Sequence, residues 1–249
     1  MSNTNFEYTK IVIELLQKLD EFEKDNIEKT VALMVEAIEN KHSLFIFGAA
    51  HAGMLSEEAF YRAGGLVVFN PIFARNLMTD TSPISMTSAM ERLDGYGKVI
   101  VEKSPISKGD VVFVHSVSGR NPVGIEVAIE AQKRGAKVVA ITSVAYSSSV
   151  TSRSKTNKRL FEVADVVIDN HGVVGDAAVN IENSDISSGS TSTVVGATII
   201  NILTTEVIKR LVEKGVEYPP VFVSANIDGN DEKNKKIKEI YSDQIHYEF

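Results

Sequence analysis

The chain contains five short apolar runs separated by helical segments, and this feature limits its possible folds most strongly. The runs are continuous rather than alternating, which is typical of strands buried on both faces of a parallel sheet. Strands that alternate with helices form right-handed βαβ units. We therefore predict an α/β fold, a three-layer α/β/α sandwich with a mainly parallel central sheet of the flavodoxin-like or Rossmann-like type. The five runs cover residues 43–47, 66–69, 110–115, 137–142 and 163–168.

Helical periodicity fills most of the remaining chain. Residues 4–40 form an N-terminal extension, either as one helix or as two joined near Lys24 and Asp25. We predict one domain, with the extension at 1–40, a core at 41–215 and a tail at 216–249. Further helices are predicted over residues 53–63, 85–93, 123–134, 193–214 and 230–241, and polar loops over 144–158 and 169–189.

Composition excludes several classes of protein. The chain has 26 basic and 33 acidic residues, a net charge of −7, which argues against general nucleic-acid binding. It has no cysteine, so disulfide and thiolate chemistry are excluded. No apolar stretch approaches the roughly 20 residues of a membrane span, and the N-terminus does not resemble a signal peptide. We expect a cytoplasmic protein without membrane contact.

Ligands of open parallel sheets bind beyond the carboxyl ends of the strands. The first loop there, residues 48–53, reads GAAHAG. It lacks the second glycine of the G-x-G-x-x-G motif that binds dinucleotides, and it lacks the Gly-Lys-Ser/Thr of a phosphate-binding P-loop. A nucleotide-dependent oxidoreductase is therefore the weakest interpretation.

The loop after the third run carries the strongest functional signal. Ser116 and Ser118 directly follow the end of an apolar strand, and Gly119 permits a tight turn. Asn121 can cap the next helix, and Pro122 fits the first turn of that helix. Hydroxyls together with the free N–H groups of a helix start form a site for phosphate. The alternative is a simple helix cap with incidental serines. Thr142 and Ser143 end the next strand with a second hydroxyl pair.

Several segments in this order resemble the sugar isomerase (SIS) domain family. They are SVSG at 116–119, AITS at 140–143, ADVVIDN at 164–170 and STSTV at 190–194, and the resemblance covers roughly residues 30–215. EEAFYRAGG at 57–65 and PPVFVSAN at 219–226 look most like stand-alone SIS proteins related to heptose-phosphate isomerases.

The resemblance implies a phosphosugar ligand and names the residues that bind it. Ser116, Ser118, Gly119 and Asn121 would hold the phosphate, aided by Thr142 or Ser143 and by Ser192 and Thr193 at the start of a helix. The family's first loop usually reads G-x-G-x-S, whereas this chain has Ala50 and Ala52. Because Ala52 replaces the serine that usually binds the sugar, the sequence supports ligand binding more strongly than catalytic turnover.

Isomerisation through an enediol needs a base near C2 of the sugar, and it needs neither a metal nor an organic cofactor. Glu58 is one candidate, on the helix after the first loop, although it can also form a surface ion pair with Arg62. Heptose-phosphate isomerases carry their glutamate about one turn later. His51 in the first loop and His171 in the loop after the fifth run are the other candidates, whereas we interpret His115 as a core histidine.

The sequence thus supports two functions of different kinds. The first is an aldose–ketose phosphosugar isomerase, and the second is a module that senses a phosphosugar without converting it. In both cases we expect a homodimer or homotetramer, because the N-terminal helical face is larger than one sheet edge requires and SIS relatives assemble in this way.

Overall fold

The computed structural model describes residues 5–248 and has a five-stranded parallel sheet at its centre. The strand order is β2-β1-β3-β4-β5, and every pairing is parallel. The predicted α/β fold with a parallel sheet is confirmed. The strands are β1 (Leu44–Gly48), β2 (Phe69–Pro71), β3 (Val111–His115), β4 (Lys137–Thr142) and β5 (Val166–Asp169).

Helices cover both faces of the sheet, because successive side chains of each buried strand point to opposite sides. In β1, Ile46 joins the core beneath the N-terminal helices, whereas Phe45 and Phe47 join the opposite core. The helices are α1 (Glu7–Phe22), α2 (Lys24–Glu39), α3 (Met54–Ala59), α4 (Ser85–Glu91), α5 (Tyr96–Glu102), α6 (Pro122–Lys133), α7 (Val144–Ser148), α8 (Ser192–Glu213) and α9 (Asn230–Ile240). Helices α2, α3 and α8 pack on one face, and α5 and α6 pack on the other.

The sheet order creates a crevice between β1 and β3. The chain leaves β1 for α3 on one face and leaves β3 for α6 on the other face. A crevice opens where neighbouring strands send their connections to opposite faces, and ligands of such folds bind there. The loops after β1 and β3, at 48–53 and 116–121, therefore lie at the expected site.

The N-terminal extension is two helices, which confirms one of the two predicted arrangements. They meet at Glu23, whose side chain is buried between the extension and the end of β5. The predicted helices 123–134, 193–214 and 230–241 agree with α6, α8 and α9 to within one residue.

Two segments differ from the predictions because distant parts of the chain bind their backbones. The helix predicted to Ala63 ends at Ala59, where Phe60 becomes extended and Tyr61 takes a positive φ of 49°. The run at 66–69 joins the sheet only at Phe69, because the tail at 220–222 pairs with residues 64–67.

The polar loops also contain structure that their composition does not indicate. A two-stranded hairpin, β6 (Ala177–Asn180) with β7 (Ser187–Ser190), occupies the predicted loop 169–189. Helix α7 lies in the predicted loop 144–158, and α5 follows the predicted α4. Within residues 5–248 no helix combines the length and hydrophobicity that crossing a membrane requires.

Candidate functional site

The β3–α6 loop, residues 116–121, presents unpaired hydroxyls at the crevice, and we call it the phosphate cradle. Ser116 and Ser118 are half-buried, and neither hydroxyl forms a hydrogen bond within residues 5–248. Asn121 is extended at the N-cap of α6 with Pro122 at N1, but its side chain does not cap the helix. The first N–H groups of a 12-residue helix thus have no side-chain partner and remain able to bind an anion.

Gly119 determines the shape of the cradle. Its φ is +56°, a left-handed conformation that favours glycine. A Cβ at this position would lie 3.0 Å from Ser147 Oγ, 3.2 Å from Leu160 Cβ and 3.3 Å from Thr142 Oγ1. The turn therefore requires glycine for its backbone angle and for space.

Thr142 and Ser143 lie behind the cradle, and their hydroxyls are already engaged. The Thr142 hydroxyl donates to the Val117 carbonyl at 3.0 Å, and Ser143 donates to the Gly172 carbonyl at 2.6 Å. Ser143 also accepts a hydrogen bond from the Tyr146 amide at the start of α7. Both residues are fully buried. The structure brings them next to the cradle, where they support the loop.

Ser192 at the start of α8 is engaged in a similar way. Its hydroxyl donates to Asp176 Oδ2 at 2.6 Å, and its amide donates to Asp176 Oδ1 at 2.9 Å. Asp176 therefore caps α8, and its negative charge interacts favourably with the positive, N-terminal end of the helix dipole. Thr193 is half-buried beside it.

His115 ends β3 at the centre of the crevice. Because a carbonyl oxygen can only accept, Nδ1–H donates to the Ala52 carbonyl at 3.0 Å. The Nε2 atom has no hydrogen-bond partner within residues 5–248. Burial lowers the pKa of His115, and the Ala52 carbonyl and the Asp176 carboxylate act in the opposite direction. The predicted core histidine is buried, and one of its two nitrogens is satisfied.

The first loop folds tightly over the end of β1. A Cβ on Gly48 would lie 2.3 Å from the Ala52 carbonyl oxygen, so only glycine fits. Ala50 takes a positive φ of 51°, which is the conformation that the family's glycine would adopt without strain. His51 is exposed on this loop.

Glu58 pairs with neighbours on the surface of α3 and α8. Its Oε1 accepts from Arg62 Nη1 and from Asn201 Nδ2, the latter at 3.2 Å. Asn201 lies more than two turns into α8, away from its N-terminus. No hydrogen bond or ion pair joins Glu58 to the cradle within residues 5–248.

His171 lies between two carboxylates at the end of β5. Its Nε2 is 3.2 Å from Glu23 Oε1, which is close enough for an ion pair but lacks hydrogen-bond geometry. Its Nδ1 is 3.7 Å from Asp169 Oδ2, and its amide donates to Asp169 Oδ1. Glu23 Oε2 in turn accepts from the Asp169 amide at 3.2 Å. The sequence does not indicate a role for Glu23, because its partners lie about 146 residues away.

Arginines form a second feature that local patterns did not reveal. Arg120 belongs to the cradle and donates to the Thr151 carbonyl at 2.9 Å. Arg153 Nη1 donates to Asn121 Oδ1 at 2.9 Å. Burial and the positive charges of Arg120 and Arg92 lower the pKa of Arg153. A bound anion would relieve the repulsion between these guanidinium groups.

One carboxyl group faces this arginine cluster. Burial raises the pKa of Glu91, while the hydrogen bond to Asn121 and the charges of Arg92 and Arg153 oppose the shift. The guanidinium groups of Arg92 and Arg153 thus both act on this single carboxyl beside the cradle. Within residues 5–248 no group of three or more His, Asp and Glu side chains is arranged to hold a metal ion.

The comparison with known proteins agrees with this fold. Residues 7–143, more than half of the chain, match the SIS domain. The chain therefore belongs to the SIS domain family.

Relatives that match along nearly the whole chain are UPF0309 proteins. One from Shouchella clausii is 49% identical over 247 residues, which covers 99% of this chain and 100% of the relative. Solved structures show the same fold at much lower identity. A phosphoheptose isomerase from Neisseria gonorrhoeae has a TM-score of 0.54 and 15% identity, over 80% of this chain and 94% of its own. The Vibrio vulnificus NanR protein has a TM-score of 0.50 and 14% identity, over 94% of this chain and 66% of its own.

Proposed function

We propose that the protein binds a phosphosugar at the β1–β3 crevice and isomerises it between aldose and ketose. The observation that carries this proposal is the phosphate cradle, in which two hydroxyls without a hydrogen-bond partner in residues 5–248 immediately precede the uncapped start of α6. Arg120 and Arg153 add positive charge to the same loop. A doubly charged phosphate fits donors of this kind better than a neutral sugar does.

The structural neighbours support a phosphosugar as the ligand. One is a phosphoheptose isomerase, and another, NanR, was solved with ManNAc-6P bound. A phosphorylated sugar is thus named for both proteins.

Isomerisation requires a proton to move between two carbons. A base removes the proton from C2 while an acid protonates O1, which gives the enediol. A proton then returns to C1 as O2–H is deprotonated, so atoms and electrons balance. His171 is the first candidate for the base, because an imidazole nitrogen can take up and return a proton, and its two nitrogens lie 3.2 Å from Glu23 Oε1 and 3.7 Å from Asp169 Oδ2. His51 and Glu58 remain the other candidates, and Glu58 would first have to leave Arg62.

The alternative is a sensor that binds the phosphosugar without converting it. Ala50 and Ala52 remove the first-loop glycine and the hydroxyl that the family usually has, and Glu58 is engaged with Arg62 and Asn201. A sensor would transmit ligand binding to a protein partner. The expected cytoplasmic location and the homodimeric or tetrameric assembly also remain predictions.

Exchange with solvent deuterium distinguishes the two functions. An isomerase incubated with its substrate in D₂O places deuterium at C2, which ¹H NMR detects. A ligand that binds tightly but shows neither exchange nor product over hours identifies a sensor.

Three variants identify the base. His171→Gln, His51→Gln and Glu58→Gln keep the approximate shape of each side chain but remove its acid–base function. We expect His171→Gln to abolish exchange while it changes affinity only a few-fold. Exchange that persists in His171→Gln but stops in either of the other variants would assign the base to that residue instead.

A further inference from the structure

A cavity of about 510 Å³ lies apart from the crevice, and its volume is within the range of small-molecule sites. It is open to solvent and is lined by α5 and the residues after it, by the segment that follows β2 and by residues 246–247. None of its lining residues belongs to the phosphate cradle or the first loop. Its lining includes Phe45, Arg75, Tyr96, Val99, Lys103 and His246.

An aromatic stack forms one wall of this cavity. The rings of Phe45 and His246 are 5.5 Å apart and inclined by only 15°. His246 is fixed on two sides, because its amide donates to Asn70 Oδ1 at 2.6 Å and its Nε2 lies 2.8 Å from Ser43 Oγ. Burial lowers the pKa of His246, and the Asp110 carboxylate acts in the opposite direction. A preorganised wall of this kind favours a flat ring that extends the stack.

The charges at the cavity have one sign. Arg75 and Lys103 line it, and none of its lining residues within the described chain is acidic, although the protein has a net charge of −7. Lys103 forms no ion pair within residues 5–248. Arg75 is highly exposed and reaches only Asp80 Oδ2, at 3.4 Å. Lys103 is therefore available to a negatively charged ligand, and Arg75 becomes available when it leaves Asp80.

We propose that this cavity is a second ligand site, which binds a small anion carrying a planar aromatic or heteroaromatic ring. The ring continues the Phe45–His246 stack, and the anionic group contacts Lys103 and Arg75. Tyr96 lines the same space and adds a further aromatic surface. This site does not depend on the proposed phosphosugar site, with which it shares no residue.

Isothermal titration calorimetry with AMP as the probe tests this proposal. Adenosine supplies the ring without the charge, and ribose 5-phosphate supplies the charge without the ring. We expect Lys103→Met to weaken AMP binding about tenfold, the typical effect of one charge-assisted hydrogen bond. Lys98→Met is the matched control, since Lys98 lies on α5, which ends immediately before Lys103, pairs with Glu102 at 3.7 Å and does not line the cavity. It should leave AMP affinity unchanged.

A second variant tests the location without changing charge. Val99 is an exposed residue of the cavity wall, so Val99→Trp should fill the opening and reduce AMP affinity while the fold persists. Ser118→Ala should leave AMP binding unchanged. The proposal is overturned if AMP does not bind at millimolar concentration or if Lys98→Met matches Lys103→Met. It is also overturned if Ser118→Ala abolishes AMP binding, or if adenosine or ribose 5-phosphate binds the Ser118→Ala variant as tightly as AMP does.

Discussion

Gly119→Ala should destabilise the protein by an amount that the structure allows us to calculate. An alanine at φ +56° costs about 1–2 kcal/mol of backbone strain. Its Cβ would also lie 3.0–3.3 Å from Ser147, Leu160 and Thr142, and overpacking of this kind costs about 1–3 kcal/mol. Alanine recovers roughly 0.4–1 kcal/mol through the reduced entropy of the unfolded chain. We expect a net loss of roughly 1–5 kcal/mol in the free energy of unfolding, with about 3 kcal/mol as the central value.

Gly215→Ala separates the two contributions to this loss. Gly215 has a φ of +84°, but nothing lies within 4 Å of the position of its Cβ. This variant should therefore show the backbone cost alone, about 1 kcal/mol. Urea denaturation followed by circular dichroism gives both values. If Gly119→Ala loses no more stability than Gly215→Ala, the close packing behind the cradle is refuted.

Two further predictions concern the crevice. Ala50→Gly should stabilise the protein by roughly 0.5–1 kcal/mol, because it relieves a positive φ of 51°; an unchanged urea midpoint would contradict that strain. The folded-state pKa of His115 lies below its ordinary 6.5, so stability should fall as the pH drops below 6.5, when the unfolded chain takes up the proton first. His115→Gln should reduce this loss of stability at low pH by up to about 1.4 kcal/mol per pH unit. If the stabilities of variant and wild type change in parallel between pH 7.5 and 5.5, His115 does not contribute to the pH dependence.

Local patterns were sufficient to predict most of the fold. Continuous apolar runs and helical periodicity depend on neighbouring residues, and so they located the strands near 44–48 and 111–115 and the helices at 122–133 and 192–213. They failed at residues 66–68, where the tail at 220–222 takes the backbone hydrogen bonds. The polar hairpin at 177–190 has no apolar run that could indicate it.

The site was harder to predict because a sequence shows which groups are present but not which partners they already have. Ser118 and Ser143 look equivalent in the sequence, yet only the Ser143 hydroxyl is bound to a carbonyl, that of Gly172. Glu23 and Arg153 reach the site from distant segments, so no local spacing indicates them.

Binding of a phosphosugar by the wild type and by Ser118→Ala tests the central claim most directly. Isothermal titration with a series of sugar phosphates first identifies a ligand, and Ser242→Ala serves as the control because Ser242 is exposed in the tail. Loss of one hydrogen bond to a charged phosphate should cost about 1.5–3 kcal/mol, a weakening of at least tenfold. We predict this loss of affinity in Ser118→Ala without a change in its stability. The affinity of Ser242→Ala should equal that of the wild type. Equal affinities in the wild type and Ser118→Ala would show that the phosphate does not bind at the β3–α6 loop.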